Sequence, residues 1–151
     1  MKKPLFLSAC VLLSCAISPL AAAPATQYFR DSSGKSAGTA RQVGNMTIYR
    51  DNTGKTVGTA RQVGNMTVYR DSSGKTVGTA RQVGGTTVIY RDSSGKSTGT
   101  AKQIGNTTVY RDSSGKTVGT ARQVGNTTVY RDSSGKTVGT ARDAAPASSG
   151  K

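Results

Sequence analysis

A chain of 151 residues with 21 Lys and Arg against 7 acidic residues, a net charge of +14 and no His lacks most of the groups on which enzymes depend near neutral pH. All the acids are Asp, Trp is absent, and both cysteines, Cys10 and Cys15, lie in the first 25 residues. The apolar residues beyond that point are chiefly Val with scattered Tyr, too few for a large core of Leu, Ile and Phe.

The chain opens with Lys2 and Lys3, an apolar run over residues 5–17, then Ser18, Pro19 and small residues up to Ala25. A positive start, a short apolar core and a small-residue exit are the parts of a bacterial secretory signal, and the run is too short to span a bilayer as a helix. Residues 1–25 are therefore expected to be a signal peptide, with Ala23 and Ala25 at the small positions before the cut. The product is expected in the periplasm or outside the cell, without a thiol or a disulfide. The alternative is a lipoprotein signal. Leu7-Ser8-Ala9-Cys10 and Leu12-Leu13-Ser14-Cys15 resemble lipoboxes, and Cys15 would then carry the anchor. No later stretch is apolar enough for a transmembrane helix.

Residues 26–142 form a tandem array. Copies begin at Tyr49, Tyr69, Tyr90, Tyr110 and Tyr130, a first copy enters at Phe29, and the period is 20 residues with one copy of 21. A fixed period of this size marks an architecture in which each unit buries its face only against its neighbours. In the copy YRDSSGKTVGTARQVGNTTV, the segment Asp112-Ser113-Ser114-Gly115-Lys116 is a turn: Asp and Ser bond back to backbone N–H groups, and Gly accepts positive φ. It joins a strand over 107–111 to one over 117–124, and Gly125-Asn126 turns the chain into the next copy. The glycines and β-branched residues disfavour helix, and the strand formers recur too regularly for a disordered basic chain.

The expected fold is all-β: 20-residue β-hairpin repeats extending one antiparallel meander of about a dozen short strands, open or closed into a barrel. The alternative is a β-solenoid, which would stack Arg50, Arg70, Arg91, Arg111 and Arg131 about 4.8 Å apart, where hairpins hold equivalents two strands apart. A type I turn with a bulge at Gly115 places Tyr110 opposite Val118, on one face with Thr120 and Val124, and leaves Val109, Gly119 and Ala121 on the other. In the third copy Gly85 replaces Asn and Ile89 precedes Tyr90; the extra residue is expected to form a strand bulge. Residues 143–151, DAAPASSGK, break the pattern and are expected to be a disordered tail.

At Tyr110-Arg111-Asp112-Ser113-Ser114-Gly115-Lys116 the chain resembles the tyrosine-aspartate repeats of bacterial toxin shells and teneurins, which implies β-hairpin units in a spiralling sheet. Here an Arg separates Tyr from Asp and Lys stands in place of Arg. Gln123, Gly125 and Asn126 are similar in kind to the residues of curlin-type repeats, whose resemblance implies extracellular self-assembly.

The repeated Asp is expected to cap its own turn rather than to bind a cation, because no Asp-x-Asp spacing supplies the several oxygens that a hard cation needs. No cofactor or metal is expected, and the protein is expected not to be an enzyme. The cations recur at three places per copy. Arg50, Lys55, Arg61, Arg70, Lys75, Arg81, Arg91, Lys96, Lys102, Arg111, Lys116, Arg122, Arg131 and Lys136 form basic rows suited to acidic polysaccharide, lipopolysaccharide or extracellular DNA. Their other possible role is to keep sheet edges from pairing with other chains. The leading expectation is an exported structural or adhesive element that binds polyanions; the alternatives are a self-assembling fibre subunit and a small secreted effector with the array as its recognition scaffold.

Overall fold

The computed structural model describes residues 26–144; the expected signal peptide and residues 145–151 lie outside the described residues. The described elements are all strands: β1 (Thr26–Asp31), β2 (Ser36–Val43), β3 (Met46–Arg50), β4 (Thr56–Val63), β5 (Met66–Asp71) and β6 (Thr76–Val83). The second half continues with β7 (Thr87–Asp92), β8 (Ser97–Ile104), β9 (Thr107–Asp112), β10 (Thr117–Val124), β11 (Thr127–Asp132) and β12 (Thr137–Asp143). Each strand pairs antiparallel with its neighbours in the chain, and β12 returns to pair with β1, closing a twelve-stranded barrel. The chain is thus a hairpin meander, closed on itself, and not a solenoid.

The turn chemistry explains one end of the barrel. In the fifth hairpin the Gly115 N–H donates to the Asp112 carbonyl at 3.0 Å and the Asp112 N–H donates to the Lys116 carbonyl at 2.9 Å. Gly115 sits at φ +86°, which a side chain would resist. Directly after this turn comes a β-bulge: Thr117 pairs with Arg111 and Gly119 with Tyr110, leaving Val118 without a partner on β9.

That bulge corrects the expected faces. Tyr110 lies across from Gly119, not Val118, and shares the inner face with Gly119 and Ala121. Val109, Thr120 and Val124 face outward with Arg122. The physical reason is space. Each inward aromatic ring is flanked by two small residues: Tyr130 by Gly139 on β12 and Ala121 on β10, Tyr49 by Gly58 and Ala40. Phe29, Tyr49, Tyr69, Tyr90, Tyr110 and Tyr130 are buried with Ala40, Ala60, Ala80, Ala101, Ala121 and Ala141, and together with Val88 they form the core inside the barrel.

The same registers set the barrel's shape. Gly119 faces Tyr110 on one side and Asp132, two residues past Tyr130, on the other, so each copy advances the ladder by two residues. Six such steps around the ring give a shear of twelve, equal to the number of strands. Equal shear and strand number fix a tilt of about 36° and bring inward side chains from alternate strands to one level. The six aromatic rings therefore form a single layer across the lumen.

The extra residue of the third copy is taken up elsewhere than expected. Val83 pairs with Thr87, which leaves Gly84, Gly85 and Thr86 in the connection where other copies have two residues. No bulge is needed in β7. Ile89 stands across from Arg81 as Val129 does from Arg122, and Val88 occupies the inward position held by Thr in four other copies.

The seam between the chain ends repeats the internal joints. Asp31 faces Gly139 just as Asp132 faces Gly119. Asp143, placed by the repeat pattern outside the array, is the last residue of β12, and the Ala144 N–H donates to the Thr26 carbonyl at 2.9 Å. Gln27 stands where other copies have Thr or Val, Asp143 where they have Gln, and the Gln27 Nε2 donates to Asp143 Oδ1 at 2.8 Å.

Candidate polyanion-binding surface

Alternation decides where the cations go. Tyr130 points into the barrel, so Arg131 beside it points out; Ala121 points in, so Arg122 points out. Lys136 and its equivalents stand at the Asp-Ser-Ser-Gly-Lys turns. All fourteen cations expected from the sequence are exposed.

They form three circumferential bands. Lys55, Lys75, Lys96, Lys116 and Lys136 ring the turn end. Arg50, Arg70, Arg91, Arg111 and Arg131 follow on the odd-numbered strands, and Arg61, Arg81, Lys102 and Arg122 lie farther along on the even-numbered ones. Arg131 pairs with Thr120, two residues from Arg122, so the two arginine bands are about 7 Å apart along the strands. Within a band, neighbouring equivalents are two strands across and two residues along, about 11–12 Å apart over the sheet.

Closure adds residues that a reading by whole copies omits. Arg30 and Lys35 of the first hairpin complete the turn-end bands, while Arg41 and Arg142 complete the third. Each is exposed, and each occupies the same place in the register as its counterparts. The repeat signal itself identifies them once the first and last hairpins are counted as full members of the ring. Residues 26–144 then carry 18 Lys and Arg against 7 Asp, a net +11.

The turn aspartates do not sit free among these cations. Asp112 Oδ1 accepts from the Ser114 hydroxyl at 2.6 Å, the Ser114 N–H at 2.9 Å and the Lys116 N–H at 3.0 Å. Asp132 has the same three donors from Ser134 and Lys136, and Asp51 has them from Thr53 and Lys55. The hydroxyl bond, followed by the two backbone bonds and the Lys charge, outweighs desolvation and holds each of these carboxyls below its ordinary value. Each carboxylate thus organises its own turn. In the first turn an Arg also joins in, with Arg30 Nη1 donating to the Gly34 carbonyl at 2.8 Å.

The outer surface can therefore attract and bind anions by charge and by guanidinium and ammonium donors, over an area that continues around the barrel. No helix among the described residues is long and apolar enough to cross a membrane. Compared with known proteins, the chain matches no family model and no curated sequence.

Proposed function

We propose that this protein is an exported, non-enzymatic structural or adhesive element of the bacterial envelope or the extracellular space that holds polyanions on its basic bands. One observation carries the reading: every copy places three cations on the outer face, while the copy's one acid is bound into its own turn. An extended polymer of phosphate, sulfate or uronate groups meets cations about 7 Å apart along the strands and about 11–12 Å apart around the barrel on such a surface. Acidic polysaccharide, lipopolysaccharide and extracellular DNA are the partners of matching chemistry, and the N-terminal leader supports an exported location.

Two further features weigh on the same side. The closed sheet has no open edge among the described residues, so its cations have no edge to protect, and fibre growth by edge pairing would first require the seam to open. The barrel also has the reverse polarity of a membrane-spanning one. Its aromatic and small residues face inward, its Arg residues face outward, and its strands of 5–8 residues are shorter than the 9–11 that a bilayer crossing takes.

The test is replacement of Lys55, Lys75, Lys96, Lys116 and Lys136 by Ser. Binding to heparin or dextran sulfate is expected to weaken at least about tenfold at low salt, with the thermal transition little changed. Unchanged affinity would remove the turn-end band from the binding surface.

A further inference from the structure

The two ends of the barrel differ. One end carries the Asp-Ser-Ser-Gly-Lys turns; the other carries the shorter Gly turns together with both ends of the described chain. At this second end β2, β4, β6, β8 and β10 each finish on an outward-facing aliphatic residue. These are Val43, Val63, Val83, Ile104 and Val124, 45–61% exposed. Met46 and Met66 stand directly across from Val43 and Val63 and widen the rim. Two residues inward on the same face comes the third cation band, and Tyr28, 52% exposed, lies across from Arg142 at the seam.

At the opposite end Val57 and Val77 are also exposed, but their counterparts Ala37, Val118 and Val138 pack against the core, and charged turns flank them all. The aliphatic rim is therefore confined to one end. Folding does not require it, because the lumen is filled by the inward aromatic and small residues. Five equivalent aliphatics left in water on successive hairpins form a ring-shaped patch rather than scattered exposure.

Charge decides what covers that patch. A second copy seated rim to rim would bring two rings of cations against each other with no acidic ring between them. An anionic bilayer satisfies both parts: Val, Ile and Met enter the boundary between headgroups and acyl chains while Arg and Lys just behind, with Tyr28 beside Arg142, meet the headgroup layer and its phosphates. Thr26 opens β1 at this end, so a lipid on Cys15, the alternative to cleavage after Ala25, would tether the barrel by the end that faces the membrane.

We propose that the Gly-turn end docks upright on an anionic lipid surface, leaving the turn-lysine end outward to hold polyanions. The docking rests on the aliphatic rim and is separable from the polymer binding proposed above. The protein as exported is tested by co-sedimentation with vesicles containing about a third phosphatidylglycerol, beside pure phosphatidylcholine vesicles and soluble heparin. The wild type is expected to bind the anionic vesicles and to retain part of that binding at about 0.5 M salt, where charge alone is screened.

Replacing Val43, Val63, Val83, Ile104 and Val124 by Ser, or only Val63 and Ile104 if the full set fails to fold, is expected to weaken vesicle binding about tenfold or more while heparin affinity stays within about twofold. The turn-lysine variant is expected to keep its vesicle binding. Wild-type protein that ignores the vesicles, rim variants that bind them equally well, or a rim-dependent dimer in sedimentation equilibrium would overturn the proposal. Loss of heparin binding with vesicle docking retained would count against the polymer reading alone.

Discussion

Tyr49 of β3 lies directly across from Gly58 of β4, and a Cβ on Gly58 would come within 2.6 Å of the Arg70 carbonyl oxygen of β5. The glycine thus meets two demands: it leaves room beside a fully buried ring, and it admits the next strand's backbone. Gly78, Gly119 and Gly139 stand in the same relation, where an added Cβ would lie 2.5–2.7 Å from an Arg carbonyl oxygen.

Gly58→Ala is accordingly expected to destabilise the barrel by about 1–3 kcal/mol through overpacking. Tyr49→Ala, which empties part of the aromatic layer, is expected to cost about 3–5 kcal/mol. Urea denaturation followed by circular dichroism measures both. A Gly58→Ala variant as stable as the wild type would contradict the close approach of β4 and β5.

The turns make stability depend on acid. Each of Asp31, Asp51, Asp71, Asp92, Asp112 and Asp132 has its carboxyl held below the ordinary 3.8, first by a hydroxyl hydrogen bond from Ser or Thr. A carboxyl whose folded value is depressed contributes its stabilisation fully above the unfolded value and loses it as pH falls through the folded one. The melting temperature is therefore expected to hold from neutrality to about pH 5 and to drop below about pH 4. Replacing the six Asp by Asn should lower stability at pH 7 and flatten the acid limb. An acid limb as steep in the Asn variant as in the wild type would place the acid sensitivity elsewhere.

Much of this was legible in the sequence, and what was not has a physical cause. Period, hairpins, turn positions and the recurrence of three cations per copy follow from Asp112 to Lys116, from Gly125-Asn126 and from the repeat itself. The faces do not follow, because one bulged residue, Val118, reverses the pairing of everything beyond it. Reading Val and Tyr as partners on one apolar face overlooked how a narrow lumen packs. A large ring needs small neighbours, which Gly and Ala supply while Val is turned out. Closure into a barrel stood beside an open sheet as one of two expected outcomes, and the structure shows the closed one; the choice was open because no local signal in β1 or β12 names the other strand. Only the departures at Gln27 and Asp143, which meet in the folded chain, mark the seam.

Because the seam has the register of the internal joints, its position in the chain is expected to be unimportant. A circular permutant that links the chain ends and opens the Gly105-Asn106 turn should fold to the same barrel, with a melting temperature within about 8 °C of the wild type. Asp143→Ala, which removes the Gln27 partner, is expected to cost about 1 kcal/mol in the natural order of strands. A permutant that fails to fold, or that assembles into open oligomers, would argue against closure through β1 and β12.

The central claim is that the outer surface is a polyanion-binding surface, and its most direct test is the salt dependence of wild-type binding to a sulfated polymer. Calorimetric titration with heparin from about 0.05 to 0.5 M salt is expected to show affinity falling with a log–log slope of about −3 or steeper, as several cations in more than one band release counterions together. Binding that is absent at the lowest salt, or that barely changes across the range, would contradict it.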